Sequence, residues 1–331
     1  MDRPLSDESG PPATVRRAIL IGWTLARHVG VFLGTLLGAV VVVHLLFILA
    51  PGDAIDALPN AAEVRPVLEA EWHLNRSAPE QVLSYLVDLV QGDLRTSLVY
   101  RPGQPVWQVV AGPALRSLGL LLTALFCSVF AGVGLAAWTS GRTSLARPAV
   151  WALSLFPVFL VARVMVALMN GVAWELMQQE LIARPGWFAL PIEEHPVKWA
   201  LAVTILAVGS GALAEIHGES ESLFRRIRGS GYVEAARARG ARVWPHVLRN
   251  LAPPLTSVIA SRTAFFVGGL VILERILNIN GVGAILWRAA LERDYPLALG
   301  ITLITAGTVA LAKLLGDVAR TTLDPRRRGT P

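Results

Sequence analysis

Charge is what this chain has least of. Of its 331 residues 16% are charged, against about a quarter in soluble globular proteins, and 53% are hydrophobic. With a mean hydropathy of +0.52, that balance excludes a water-soluble domain and indicates an integral membrane protein. Cysteine is nearly absent: Cys127 stands alone in an apolar run, so no intrachain disulfide and no cysteine-rich zinc site can form. Lysine is equally scarce, at two of 30 basic residues. A Walker A loop needs G-x-x-x-x-G-K-[ST], because its backbone amides and lysine hold the phosphates. Lys198 precedes Trp199 and Lys313 precedes Leu314, so the chain is not itself a P-loop ATPase. No H-E-x-x-H zinc helix and no G-x-S-x-G nucleophile elbow occurs. His28, His44, His73, His195, His217 and His246 have no ligand-like spacing, so neither a metal nor a cofactor is expected in this chain. The net charge of +6 would suit nucleic acid, but the basic residues lie beside apolar spans, which points to membrane topology instead.

What is present is apolar length. About 20 apolar residues cross the hydrocarbon core. Six segments reach or approach that length: 29–50, 117–139, 148–170, 199–214, 251–273 and 297–316. The expected fold is an all-α integral membrane domain of six transmembrane helices over 29–331, behind an N-terminal arm at 1–28. Within that arm the polar, proline-rich start reads as disordered, and 14–28 as an interfacial helix. The first span is too long for a signal-peptide core and lacks a cleavage site. Lys and Arg set the orientation: 18 fall in the N-terminal arm, the 139–147 and 217–250 loops and the tail, against seven in the opposite loops. Positive residues mark the cytoplasm, which puts both termini there.

The loops differ in character. The outer loop 51–115 carries eight acidic against four basic residues. Within it Val82, Leu83, Leu86, Leu89 and Val90 give a helical stripe that predicts an amphipathic helix over 79–91, on the membrane face or on its own spans, ended by Gly92. The inner loop 230–250 reads SGYVEAARARGARVWPHVLRN. Ser230 can cap a helix and Gly240 can end it in a left-handed turn, giving about ten residues and roughly 15 Å. Ala235, Ala236 and Ala238 keep that helix thin, so another surface can approach it closely. Pro245 suits the first turn of a second short helix, which Pro253-Pro254 would stop.

Glu234-Ala235-Ala236 with Gly240 resembles the EAA loop of binding-protein-dependent ABC importer permeases. Ala50-Pro51-Gly52-Asp53, Gly92-Asp93-Leu94-Arg95-Thr96-Ser97 (GDLGxS in the family), Gly281-Val282-Gly283, Arg293-Asp294-Tyr295-Pro296 and Leu323-Asp324-Pro325-Arg326 are similar, in order and spacing, to motifs of the dipeptide, oligopeptide and nickel branch. One departure stands: seven residues separate Gly240 from Leu248 where the family has about eleven, a loss close to one helical turn.

The resemblance implies a type I importer permease whose EAA helix docks into the ATPase. Tyr232, Glu234, Ala235, Ala236, Arg237, Arg239 and Gly240 would form the coupling loop. Partners implied are a second homologous permease, two P-loop ATPase subunits that bind ATP and Mg, an extracytoplasmic substrate-binding protein and the lipid membrane, with no nucleic acid. The substrate would be a di- or oligopeptide or a related small solute such as a nickel chelate. Intramembrane charges are costly and often functional. Arg163 and Arg262 either line the translocation path or pair with Glu215, Glu274 or helix-end carbonyls. Asp93, Asp294 and Tyr295 are candidate contacts for the binding protein, with Asp294-Tyr295-Pro296 otherwise a turn that starts the last span. The alternatives are an ion-coupled secondary transporter, disfavoured because no acidic residue lies mid-span, a degenerate permease paralogue and a membrane-embedded enzyme.

Overall fold

The computed structural model describes residues 13–49, 52, 55–57, 60–71, 75–140, 145–180, 196–242 and 244–323. The start of the arm, most of the 171–196 loop and Asp324-Pro325-Arg326 lie outside the described residues. The described helices, in order, are α1 (Ala13–Leu49), α2 (Ala61–Glu71), α3 (Ala78–Val90), α4 (Val106–Thr139), α5 (Ala146–Ser154), α6 (Val158–Gln178), α7 (Pro196–Gly209), α8 (Ala212–Arg228), α9 (Gly231–Ala238), α10 (Trp244–Ile276), α11 (Val282–Leu291) and α12 (Tyr295–Leu323). A 3-10 turn at Ile55–Ala57 and one isolated bridge, Thr96 to Pro105, are the only other regular features among the described residues. Five helices are long and apolar enough to cross a membrane, or six if one bent pair makes a single crossing.

The expected spans sit inside these helices, with four corrections. Interfacial segment 14–28 and the first span, as far as Leu49, form one continuous helix, α1. The third span, 148–170, is broken into α5 and α6 at Pro157, which caps α6 in an extended conformation. Proline has no N–H to give the preceding turn, and its ring pushes Phe156 out of the helical region. The fourth span, 199–214, runs across a 58° bend between α7 and α8. Its helix continues to Arg228 through residues read as loop, because α8 is amphipathic and turns Ile216, His217, Ser220, Phe224 and Ile227 inward. Lys198, near the start of α7, is buried. Finally, Pro253-Pro254 does not stop a short helix: α10 runs through both. A membrane helix tolerates proline where neighbouring groups satisfy the freed carbonyls.

Apolar burial drives little of this assembly, since lipid tails are as apolar as leucine; close packing and polar ties hold the helices together. The main packed cluster joins α4, α6, α7, α8 and α10 around Leu120, Ile205, Ile216, Phe266 and Leu273, all fully buried. A second joins the start of α4 to α11 and α12, and a third joins α1, α3 and α12. The last decides where α3 lies. Tyr85, Leu86 and Leu89 rest on Val40 and Leu299 of the chain's own spans. His44 of α1 and Gln81 of α3 meet at 3.3 Å across the same contact.

Candidate functional site

Helix α9 is short because its ends are fixed locally. Ser230 is the extended N-cap, but its hydroxyl does not cap α9; it donates to the Ile227 carbonyl at 2.6 Å and ties α9 to the end of α8. At the other end Gly240 takes φ +70°. Its N–H donates to Arg237 at 2.9 Å, and Ala241 N–H donates to Ala236 at 2.9 Å. These two bonds are a Schellman closure, which glycine enters at no steric cost. The helix has eight residues, about 12 Å, rather than ten.

Eight residues still have two faces. Val233 and Ala236 are buried against the bundle, whereas Glu234, Ala235, Arg237, Ala238 and Arg239 are exposed. Ala236, expected to admit a partner, instead lets α9 lie close to its own chain; Ala235 and Ala238 are the small outward residues. Arg239 Nε donates back to the Ala235 carbonyl at 3.1 Å, so Arg237 and Glu234 are the charges presented outward. The backbone of Tyr232 is in α9, and its side chain lies outside the described residues.

Behind α9 stands α8, packed along α4. Buried His217 meets Thr139 of α4 at 3.2 Å. Buried Glu221 accepts from Arg225 at 2.5 Å and has Arg147 at 3.8 Å, and Arg228 donates to the Ser140 carbonyl. The far end of α8 carries Glu215, which pairs with Arg262 of α10. Arg262 also lies 4.9 Å over the Phe265 ring. Arg163 is exposed on α6, and no ion pair holds it among the described residues. The two arginines therefore differ: one is a strut between α8 and α10, and one points away from the packed interior.

At the opposite end, sequence signatures far apart in the chain meet. Asp294 is fully buried. Its Oδ2 accepts from Ser97 Oγ at 2.5 Å and from the backbone N–H groups of Leu98, Val99 and Tyr100 at 3.1, 3.1 and 3.0 Å. Its Oδ1 accepts from Leu297 N–H at 3.3 Å, which caps α12. The Asp294 carboxylate thus faces inward and is not a surface contact. Tyr295 beside it is half-buried, with its ring edge-on to Phe47 at 4.4 Å and its hydroxyl donating to the Gly52 carbonyl at 3.3 Å. Asp93 is exposed and accepts from Arg95 N–H at 2.7 Å.

Arg95 occupies the fourth position of the GDLGxS-like segment, and its φ is +64°. A left-handed backbone explains a glycine there; arginine holds it by side-chain ties to Asp88 at 2.7 Å and Ser84 at 3.0 Å, and by lying 5.4 Å over Tyr85. Burial raises the Tyr85 phenol above its ordinary pKa.

Sequence reasoning named Glu274 only as a possible partner of an intramembrane arginine, and the structure gives it other partners. It is fully buried near the C-terminal end of α10. It accepts from Ser117 Oγ at 2.5 Å and from Gly283 and Ala284 N–H at 2.7 and 3.3 Å, and so stands at the N-terminus of α11 where a negative group is favoured. A Cβ on Gly281 would lie 2.2 Å from this carboxylate, and one on Gly283 would lie 2.4 Å from Val271 Cα. The spacing of Gly281-Val282-Gly283 was the only visible trace of this site.

Residues 124–329 match the model of a family described as binding-protein-dependent transport system inner membrane component. A Brucella ovis protein named as a peptide permease is 30% identical, over 90% of this chain and 96% of its own. The Bacillus subtilis oligopeptide transport system permease protein AppB is 24% identical, over 88% and 94%. The Pectobacterium atrosepticum glutathione transport system permease protein GsiC is 26% identical, over 93% and 99%.

Proposed function

Because this chain belongs to the family of binding-protein-dependent transport system inner membrane components, we propose that it forms half of the translocation pathway of an ATP-driven importer and couples to its ATPase through α9. The observation that carries the coupling role is the geometry of α9. It is tied to α8 through Ser230 at one end and closed by Gly240 at the other, seated on Val233 and Ala236, and presents a small, charged outer face. Its load path runs through α8 to the Glu215–Arg262 strut and the 58° bend. Force on a stiff helix moves packed neighbours as units, because close-packed interiors transmit strain.

The subunit itself carries no catalytic chemistry in this reading. ATP and Mg bind two P-loop subunits at the α9 side; the Lys and Arg excess supports a cytoplasmic position for that side and for both termini. An external binding protein delivers substrate to the acidic outer loop, where exposed Asp93 stands, and a second permease completes the path. The substrate class is a peptide or peptide-like solute, as in the names of the relatives. Exposed Arg163 lies on the path or at the permease interface, where a peptide carboxylate or carbonyl is its counterpart.

Two measurements test this together. Native mass spectrometry of the tagged chain from its own membranes should recover a second permease and two P-loop ATPases; recovery without any ATPase would count against it. Gly240→Pro and Glu234→Lys should abolish ATP-dependent uptake while leaving membrane insertion intact. Normal uptake by both would remove α9 from the coupling path.

A further inference from the structure

Helices α1 and α12 leave a cavity of about 110 Å³ between them, several times the room one water requires. Each helix offers it one face. From α1 come Arg27, His28, Val31, Phe32 and Thr35, and from α12 come Ala310, Lys313, Leu314 and Asp317. The lining is sorted along its length. Arg27, His28, Lys313 and Asp317 gather toward one end, and Val31, Phe32, Ala310 and Leu314 form the rest with Thr35, whose hydroxyl donates to the Val31 carbonyl at 2.8 Å. The polar end coincides with the edge of the apolar stretches, which run from Ala26 in α1 and to Arg320 in α12. Asp317 is held by His28 Nε2 at 3.3 Å. Arg27 and Lys313 are exposed and have no hydrogen bond or ion pair among the described residues. With His28 neutral, the lining carries a net +1.

Two unpaired cations at the membrane boundary, above an apolar slot between spans, match a ligand with an anionic head and a hydrocarbon tail. Basic pockets between membrane helices on the cytoplasmic side hold phospholipid headgroups, and each basic residue near the surface contributes about 1 kcal/mol. We propose that the α1–α12 groove is a binding site for an anionic phospholipid. Its phosphate is held between Arg27 and Lys313, and an acyl chain lies along Val31, Phe32 and Leu314. The site fastens α1, which among the described residues packs mainly on α12 and α3. It requires only the membrane location of the chain and is independent of the α9 coupling role.

The test uses the intact transporter, delipidated in detergent and titrated by native mass spectrometry with phosphatidylglycerol, phosphatidylcholine or inorganic phosphate. Phosphatidylglycerol should bind selectively over phosphatidylcholine and resist displacement by millimolar phosphate. The Arg27→Ala/Lys313→Ala variant should lose affinity about 30-fold, two contacts at about 1 kcal/mol each. The charge-retaining Arg27→Lys/Lys313→Arg variant should keep it, which separates loss of charge from loss of fold. Equal binding of phosphatidylcholine, or unchanged affinity in the alanine variant, would overturn the proposal. Efficient displacement by inorganic phosphate would assign the cations to a soluble anion instead.

Discussion

Removing the Asp294 carboxylate should release residues 97–101 from the start of α12. In Asp294→Ala, four donors lose their acceptor: Ser97 Oγ and the N–H groups of Leu98, Val99 and Tyr100. An unsatisfied buried donor costs about 1–3 kcal/mol. Val99 and Tyr100 are half-buried and can recover water, so only Ser97 and Leu98, 1% and 8% exposed, are charged in full. That gives a local cost of about 2–6 kcal/mol. The loss of the α12 cap adds about 1 kcal/mol. Asp294→Asn keeps one acceptor oxygen but turns an NH2 toward either the loop donors or Leu297 N–H, so it should fall between wild type and alanine. The assay is amide hydrogen exchange over residues 97–101 in the detergent-purified protein. Even the lower bound predicts acceleration of about 30-fold at 2 kcal/mol. Unchanged exchange at Leu98 and Val99 in Asp294→Ala would refute the buried-acceptor account.

Three further perturbations address separate ties. Arg95 sits at φ +64°, which costs a non-glycine residue about 1–2 kcal/mol, so Arg95→Gly should recover that strain while losing the Asp88 and Ser84 ties. Arg95→Ala loses the ties and keeps the strain, and should lower thermal stability more than Arg95→Gly; the reverse order would sink the explanation. Gly283→Ala should cost about 1–3 kcal/mol by overpacking, because its Cβ would meet the Val271 backbone at 2.4 Å; a wild-type melting temperature would show that α10 and α11 are not held so closely. Glu80 has its pKa lowered, first by the Ser77 hydroxyl and then by the Ser77 N–H, so its tie at the start of α3 is present above the ordinary carboxylate range and lost as pH falls through the depressed value. Proteolysis near Ser77 should rise on acidification in wild type and be pH-independent in Glu80→Gln.

What could be read from the chain was what depends on near neighbours. The apolar stretches, the amphipathic α3 and the ends of α9 follow from residues within a turn or two of each other, and the helices stand close to where those residues put them. The breaks were harder. Pro157 interrupts a stretch whose apolar composition is continuous, while Pro253-Pro254, with the stronger local stop signal, is carried through a long helix. In lipid the outcome depends on what the neighbouring helices offer the freed carbonyls, not on the proline itself. The inward turn of Val233 depends on where Ile227 and Val247 lie, which no local pattern contains. Asp294 and Ser97 are 197 residues apart in sequence, and Glu274 and Ser117 are 157 apart, so their meeting is a property of the packed bundle. The segments were visible as separate motifs; that three of them converge on one buried carboxylate and its flanking tyrosine was not.

The most direct measurement is site-specific photo-cross-linking from α9 in native membranes. A photoreactive side chain replaces Ala235, which faces outward, or Ala236, which faces the bundle. The account predicts adducts from position 235 to a protein carrying a Walker A sequence, with position 236 yielding only cross-links within the chain. Adducts from position 235 to lipid or to other copies of this chain alone, or equal ATPase adducts from both positions, would contradict it.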